Sequence, residues 1–257
     1  MKARGGTSVS RPVISAGPHV AILVRIIDMG SQYVKNAYGE GWKPQLKFVF
    51  ELPFELHQYN DGEEEKPAWL WAKYNNIISD NSLLHKFITG AIGRKLNKSE
   101  YSTFDIGQFL GKKFIVQVGH TQKSDGNGVW ENVNSAIMVT PELQNNAMYK
   151  GVPWDQAVPK NDVYGFAIDD AGECFKSPLF GEFKPSPNPD RKGLREQILD
   201  SKEGRAFLEA GGKPYLKPEE TEEAPQAPKE EAPTNPLGGG NDLTEGAGNI
   251  PSPGSFM

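Results

Sequence analysis

The stretch Asp80-Asn81-Ser82-Leu83-Leu84-His85-Lys86-Phe87-Ile88-Thr89-Gly90-Ala91-Ile92-Gly93 decides how the rest of the chain is read. Leu83, Leu84, Phe87, Ile88 and Ile92 recur with the roughly 3.6-residue period of a helix face. The polar triplet before them offers N-caps, and Gly93 offers a left-handed stop. On both sides of this helix the period is 2. Upstream, residues 19–28 set Val20, Ile22, Val24 and Ile26 on one side and a mixed set including Arg25 on the other, the pattern of a half-buried strand. Residues 46–52 alternate Leu46, Phe48, Phe50 and Leu52 with Lys47, Val49 and Glu51 until Pro53 ends the run. Residues 69–74 make a short third strand. Downstream, residues 106–110 read as a helical turn stopped by Gly111. Strands follow at 113–118 and 129–139, joined by a Gly-rich turn at 124–128 and ended by Pro141.

Three strands, one helix and two strands is the element order of the OB-fold, a five-stranded, partly open Greek-key barrel. A generic α+β sheet with a helix on one face permits the same string. The expected class is therefore mainly β: an OB-like five-stranded barrel, its helix between strands three and four, with a small C-terminal α/β extension and an acidic tail.

Of 257 residues only 37% are hydrophobic, while 28 are Gly and 20 are Pro, so part of the chain is expected not to fold. From residue 217 onward there are seven Pro, six Gly and a single aromatic, Phe256, with six Glu between 219 and 231. Such a segment buries too little apolar surface to offset about 1–2 kcal/mol of backbone ordering per residue. The expected organisation is a flexible arm at 1–17, the barrel at 18–142, an extension packed on it at 143–212, and a disordered tail at 213–257. The longest apolar run, residues 20–24, is far shorter than the ~20 residues of a membrane span. The N-terminus lacks a signal-like apolar stretch. One cysteine, Cys174, allows no internal disulfide, which points to a reducing cytoplasm.

Charge is distributed unevenly. Residues 1–150 carry 17 Lys and Arg against 14 Asp and Glu, residues 151–216 carry 9 against 11, and residues 217–257 carry 2 against 8. A mildly basic body suits a polyanion. The loop expected at 31–44 holds Tyr33, Lys35, Tyr38, Trp42 and Lys43, and the one expected at 120–130 holds His120, Lys123 and Trp130. Strand two points Lys47 away from its apolar side, and strand three sets Trp69, Trp71 and Lys73 on one side. Rings interleaved with ammonium groups suit single-stranded nucleic acid, since any base stacks on a ring while lysines follow the phosphates. The competing reading of each ring is an ordinary core or rim position.

Signals for other chemistry are weak. His19, His57, His85 and His120 have no ligand spacing, and there is no Cys pair for zinc. Asp162, Asp169, Asp170 and Glu173 offer carboxylates for magnesium, or a turn joining strand-like runs at 164–168 and 174–175. A P-loop motif is absent from the sequence.

Three ordered motifs carry a resemblance: Ile26-Ile27-Asp28-Met29-Gly30-Ser31-Gln32, Lys47-Phe48-Val49-Phe50-Glu51-Leu52-Pro53, and Phe104-Asp105-Ile106-Gly107-Gln108-Phe109-Leu110-Gly111-Lys112, followed by the strand pair that Pro141 closes. In these the chain resembles a family of phage-encoded replication accessory proteins, single-stranded DNA-binding proteins with an OB-like barrel. The likeness spans about residues 17–142, with a weaker echo at 164–170 and in the helix-like stretch 194–209. It implies non-catalytic binding of single-stranded DNA in phage replication or recombination; the expected binding is sequence-tolerant and needs no cofactor, with other replication or recombination proteins as candidate partners of the tail. The chain departs from bacterial-type single-strand binders, whose acidic tip ends in Pro-Phe, by ending Pro253-Gly254-Ser255-Phe256-Met257. Two other classes fit the sequence: a phage structural or assembly module built on a β-barrel, and a metal-dependent enzyme acting through the carboxylates at 162–173.

If the body binds a polyanion, the tethered glutamates of residues 219–231 compete for its lysines. Removing residues 217–257 takes the formal charge from −5 to +1. Truncation is expected to raise affinity for single-stranded DNA at low salt and to lose that advantage as salt shortens the screening length. Equal affinities of full-length and truncated chains at low salt would assign the tail another role.

Overall fold

The computed structural model describes residues 12–36, 39–59, 62–123, 126, 128–184 and 191–217. The expectations for residues 1–11, for Tyr38, for most of the turn at 124–128 and for the tail from 218 onward lie outside them. The architecture is mainly β. Strands β1 (Gly17–Asn36), β2 (Gly39–His57), β3 (Lys66–Asn75), β4 (Lys113–Gln122) and β5 (Val129–Met138) form an antiparallel path in the order β3-β2-β1-β4-β5. A sixth strand, β6 (Tyr164–Phe166), pairs parallel with β1. The helices are α1 (Leu83–Ile92), α2 (Pro141–Gln144), α3 (Pro178–Gly181), α4 (Leu194–Leu199) and α5 (Lys202–Glu209).

The sheet is open, because no ladder among the described residues joins its margins β3 and β5. Helix α1 lies against both. It starts where Ser82 Oγ accepts the His85 N–H at 3.1 Å and ends at Gly93, whose φ of 72° is left-handed. From α1, Phe87 reaches into the cup of the sheet, with its ring 5.1 Å from Phe48, 5.6 Å from Phe109 and 5.8 Å from Phe114. These rings join Leu46, Phe50, Leu52, Leu70, Leu84, Ile88 and Val116 in the first core. At about 1.5–3 kcal/mol per buried large side chain, this cluster is the main source of stability.

A second core forms on the opposite face of the sheet. Ile22, Val24, Ile27, Met29 and Val49 pack there against Phe166, Phe175, Phe180, Phe183 and Ile198 from the C-terminal segment. The expectation of a half-buried first strand is therefore corrected: Ala21, Ile22, Leu23, Val24 and Ile27 are all fully buried. A bulge in β1 between Leu23 and Arg25 shifts the alternation by one residue. Ile22 and Val24 consequently serve the second core while Ile26 serves the first.

Glu51 fastens the two layers together. It is fully buried, and its carboxylate accepts the backbone N–H groups of Lys160 at 2.6 Å and Asn161 at 3.0 Å, and the Asn161 side-chain amide at 2.5 Å. The chain then enters β6 beside Arg25, Ile26 and Ile27 of β1. Further on, Gly30 (φ 65°) lies so close to the start of α5 that a Cβ there would sit 2.6 Å from Ser201 Oγ. Glu203 accepts hydrogen bonds from the Ser31 N–H and hydroxyl, both at 2.7 Å.

Other boundaries differ from the expectations. Ordered packing begins before residue 17: Ile14 is buried in the first core, and its N–H donates to Glu131. Residues 173–176 form a 3₁₀ turn instead of a strand, and the stretch 194–209 is two helices broken at Asp200 and Ser201. Among the described residues, no helix is long and apolar enough to cross a membrane.

Replacing Glu51 by Ala leaves the part-buried donors of Lys160 and Asn161 without their acceptor, at a cost of about 1–3 kcal/mol each where water cannot reach them. The expected result is a loss of about 3 kcal/mol or more in urea unfolding, with a smaller loss for Glu51→Gln, which keeps one acceptor. An Ala variant as stable as the parent would show that the 160–161 segment is held by other means.

Candidate nucleic-acid interface

Because β3 alternates, Ala68, Leu70, Ala72 and Tyr74 face the first core, while Trp69, Trp71 and Lys73 lie on the opposite side, where the two tryptophans pack at the margin of the second core and Lys73 is exposed. Register sets them against β2: Glu51 opposite Trp69, Val49 opposite Trp71, Lys47 opposite Lys73. The two tryptophans are half-buried, their rings 6.2 Å apart and tilted. Each carries a cation. The Arg25 guanidinium lies 4.5 Å from the Trp69 ring and 4.8 Å from that of Tyr164, so it is held between them. The Lys47 ammonium lies 4.6 Å from the Trp71 ring.

Grooves open on both sides of this pair. Tyr59, Lys66, Pro67, Lys160 and Asn161 complete one of about 490 Å³. Lys123, Val129, Trp130 and Glu131 complete another of about 380 Å³, with the Lys123 ammonium 5.0 Å from the exposed Trp130 ring. Trp69, Trp71, Lys47, Lys73, Lys123 and Trp130, chosen from sequence, thus come together on one face.

The remaining candidates go elsewhere. The expected loop at 31–44 is instead a two-stranded ribbon, since β1 and β2 stay paired out to Asn36 and Gly39. On it Tyr33 and Trp42 are cross-strand partners, their rings 5.5 Å apart edge to face, and the Arg205 guanidinium of α5 lies 5.5 Å from the Trp42 ring. Lys35 pairs with Glu40 at 3.1 Å on the exposed ribbon, and half-buried Lys43 lies opposite Gln32. The expected loop at 120–130 is also largely strand, with His120 opposite Glu131 and Thr121 opposite Trp130. His120 is exposed on β4, and its Nε2 lies 2.8 Å from the Ile14 carbonyl oxygen, so the ring also ties down the entering chain.

Sequence reading did not select Arg25, Tyr59, Lys66, Lys160, Tyr164 or Arg205. Four of these six are cationic and lie far apart in the chain, and only the parallel docking of β6 brings Tyr164 to Arg25. The carboxylates at 162–173 behave as a turn. Asp169 accepts the N–H groups of Glu173 and Cys174 at 3.0 and 2.7 Å; these bonds outweigh the effect of its desolvation and hold its carboxyl below the usual range. Asp169 and Asp170 line a separate hollow of about 540 Å³ with Asp28 and Glu203. Four carboxylates there repel a polyanion, which makes the tryptophan face the better candidate.

Comparison with protein-family models, curated proteins and solved structures finds no match to this chain.

Burial, reinforced by the charge of Lys73, pushes the Lys47 amine below the ordinary lysine value. Between its lowered folded value and the ordinary one, the unfolded state binds more protons, so stability rises with pH across that alkaline window. Denaturant midpoints measured through the window should climb for the parent and climb less for Lys47→Met. Parallel curves would show that Lys47 titrates normally.

Proposed function

We propose that the protein is a non-catalytic, sequence-tolerant single-stranded DNA-binding protein of phage replication or recombination, built on an OB-type barrel. The strand order β3-β2-β1-β4-β5, with α1 between β3 and β4, is what such a barrel has before its last seam pairs. The outer side of its second and third strands is where this class takes up oligonucleotides.

The observation that carries the reading is the juxtaposition of Trp69, Trp71 and Trp130 with Lys47, Lys73 and Lys123 on that side. Rings two residues apart on β3 provide stacking surface without a hydrogen-bond code, so base identity is left unread. The ammonium groups provide the phosphate contacts. Half-burial restrains the tryptophans and lowers the entropy lost when a base stacks on them.

A tryptophan-fluorescence titration with oligo-dT and with duplex DNA tests this. Quenching by the single strand with weaker binding of the duplex is expected. If about four cations neutralise phosphates, log affinity should fall against log salt with a slope of about −3. Trp71→Ala and Trp130→Ala should each weaken binding by about 1–3 kcal/mol if a base stacks on the ring. A flat salt response, or alanine variants that fold and bind like the parent, would overturn the assignment.

A further inference from the structure

We infer that Lys47, Lys73 and Gln45 form a pocket for a single phosphate group where β2 meets β3, next to the stacking surface of Trp71. The inference deepens the proposed interface and rests on it for the identity of the natural ligand, but not for the existence of the pocket.

Lys47 and Lys73 are directly opposed across the β2–β3 ladder. Directly opposed residues have Cβ atoms about 4.5–5.5 Å apart, and like charges so placed are destabilising. Sheets ordinarily avoid or neutralise such a pair. Here, among the described residues, neither lysine has a carboxylate partner within salt-bridge distance. The nearest acid on the same side of β2, Glu51, is already committed to Lys160 and Asn161. The two ammonium groups thus form a local excess of positive charge that no carboxylate neutralises among the described residues, the Lys47 ammonium resting on the Trp71 ring.

A third group faces the same space. Gln45 is only 3% exposed, and its Oε1 has no hydrogen-bond partner. An unpaired buried carboxamide is costly unless something completes it. Gln45, Lys47 and Lys73 line a small cavity of about 40 Å³, closed on the other side by Met29, Gln32 and Gln197. The Gln32 amide is already spent, since its Nε2 donates to the carbonyl oxygens of Met29 at 2.5 Å and Gln197 at 3.0 Å. Gln45 is the amide still free. As placed, the unpaired Oε1 is an acceptor; an anion in the cavity requires the amide to rotate about its last bond, which exchanges its two ends and makes the NH₂ a third donor beside two ammonium groups.

Size and charge select the ligand. One water needs about 10–15 Å³ of this measure, so the cavity admits the oxygens of one tetrahedral anion but no ring. Two ammonium groups disfavour a metal cation and favour an oxyanion, which they bind with charge-assisted hydrogen bonds. The Lys47 ammonium lies 4.6 Å from the Trp71 ring, so a phosphate that it holds sits beside the ring and fixes the register of a strand whose neighbouring base stacks there. A free phosphate or a phosphomonoester presents the same oxygens.

Inorganic phosphate is the direct probe. Thermal unfolding of the full chain is followed in sodium phosphate and in sodium chloride at equal ionic strength and neutral pH, alongside oligo-dT titration. Phosphate is expected to raise the unfolding temperature saturably above the chloride value. Lys73→Gln and Gln45→Leu should abolish that increment. Lys73→Gln should still fold, because it removes a like-charge contact at an exposed position. It should also make the oligo-dT salt slope shallower by about 0.7, one phosphate contact. Equal unfolding temperatures in the two salts, or an increment that survives both substitutions, would overturn the pocket. Oligo-dT binding without any phosphate increment removes the pocket and leaves the interface. An increment lost in the variants, without oligo-dT binding, keeps the pocket and removes the interface.

Discussion

Strand β2 has no solvent side from Phe48 to Glu51: Phe48 and Phe50 fill one core, Val49 helps to fill the other, and Glu51 is fully buried. The rest of the structure answers that constraint. The inward residues require a curved sheet with a plug, which Phe87 of α1 supplies. The outward residues require a second layer, which the five-stranded antiparallel path by itself does not contain. A buried carboxylate requires donors, because an unpaired charge there is far costlier than the hydrogen bonds that satisfy it. The segment at 160–161 brings those donors, and in doing so it delivers β6 to the edge of β1 and starts the wrapping of the C-terminal helices.

The elements legible in sequence were those governed by local periodicity. The helix at Leu83–Ile92, with its Ser82 cap and Gly93 stop, has one apolar stripe and strong end signals. Strand positions followed from alternation, but strand lengths did not. The ribbon formed by β1 and β2 beyond Pro44 consists of polar, Gly-containing sequence that reads as loop. Its pairing is sustained by cross-strand contacts such as Tyr33 with Trp42 and Lys35 with Glu40. The burial of both faces of β1 was hidden for a different reason. The bulge after Leu23 changes which residues share a face, and no one-dimensional alternation reports a residue left out of the ladder.

For the site, the legible part was residue type on known strand faces. Trp69, Trp71, Lys47 and Lys73 were found because two neighbouring strands each expose alternate positions. Lys123 and Trp130 were found because they flank a Gly-rich turn. The illegible part depended on long-range register. Tyr164 reaches Arg25 only through a parallel pairing, and Arg205 reaches Trp42 only after α5 docks on Gly30 and Ser31. The contact of His120 with the Ile14 carbonyl was illegible because that carbonyl belongs to a stretch whose composition suggests a loose end.

The edge of β1 that receives β4 also receives β6: residues 17–22 pair with β4, and residues 25–27 pair with β6. Among the described residues, the first strand is therefore completed by the last, about 140 residues later in synthesis. Until β6 and the helices after it have been synthesised, Ile22, Val24, Ile27 and Val49 lack their cover, and part of an apolar edge stays unpaired. Such an edge is a template for joining another chain, and contacts this distant in sequence form slowly. Biosynthesis thus passes through a stage in which the N-terminal sheet is assembled and adhesive, and its solubility during that interval depends on how soon the C-terminal layer arrives.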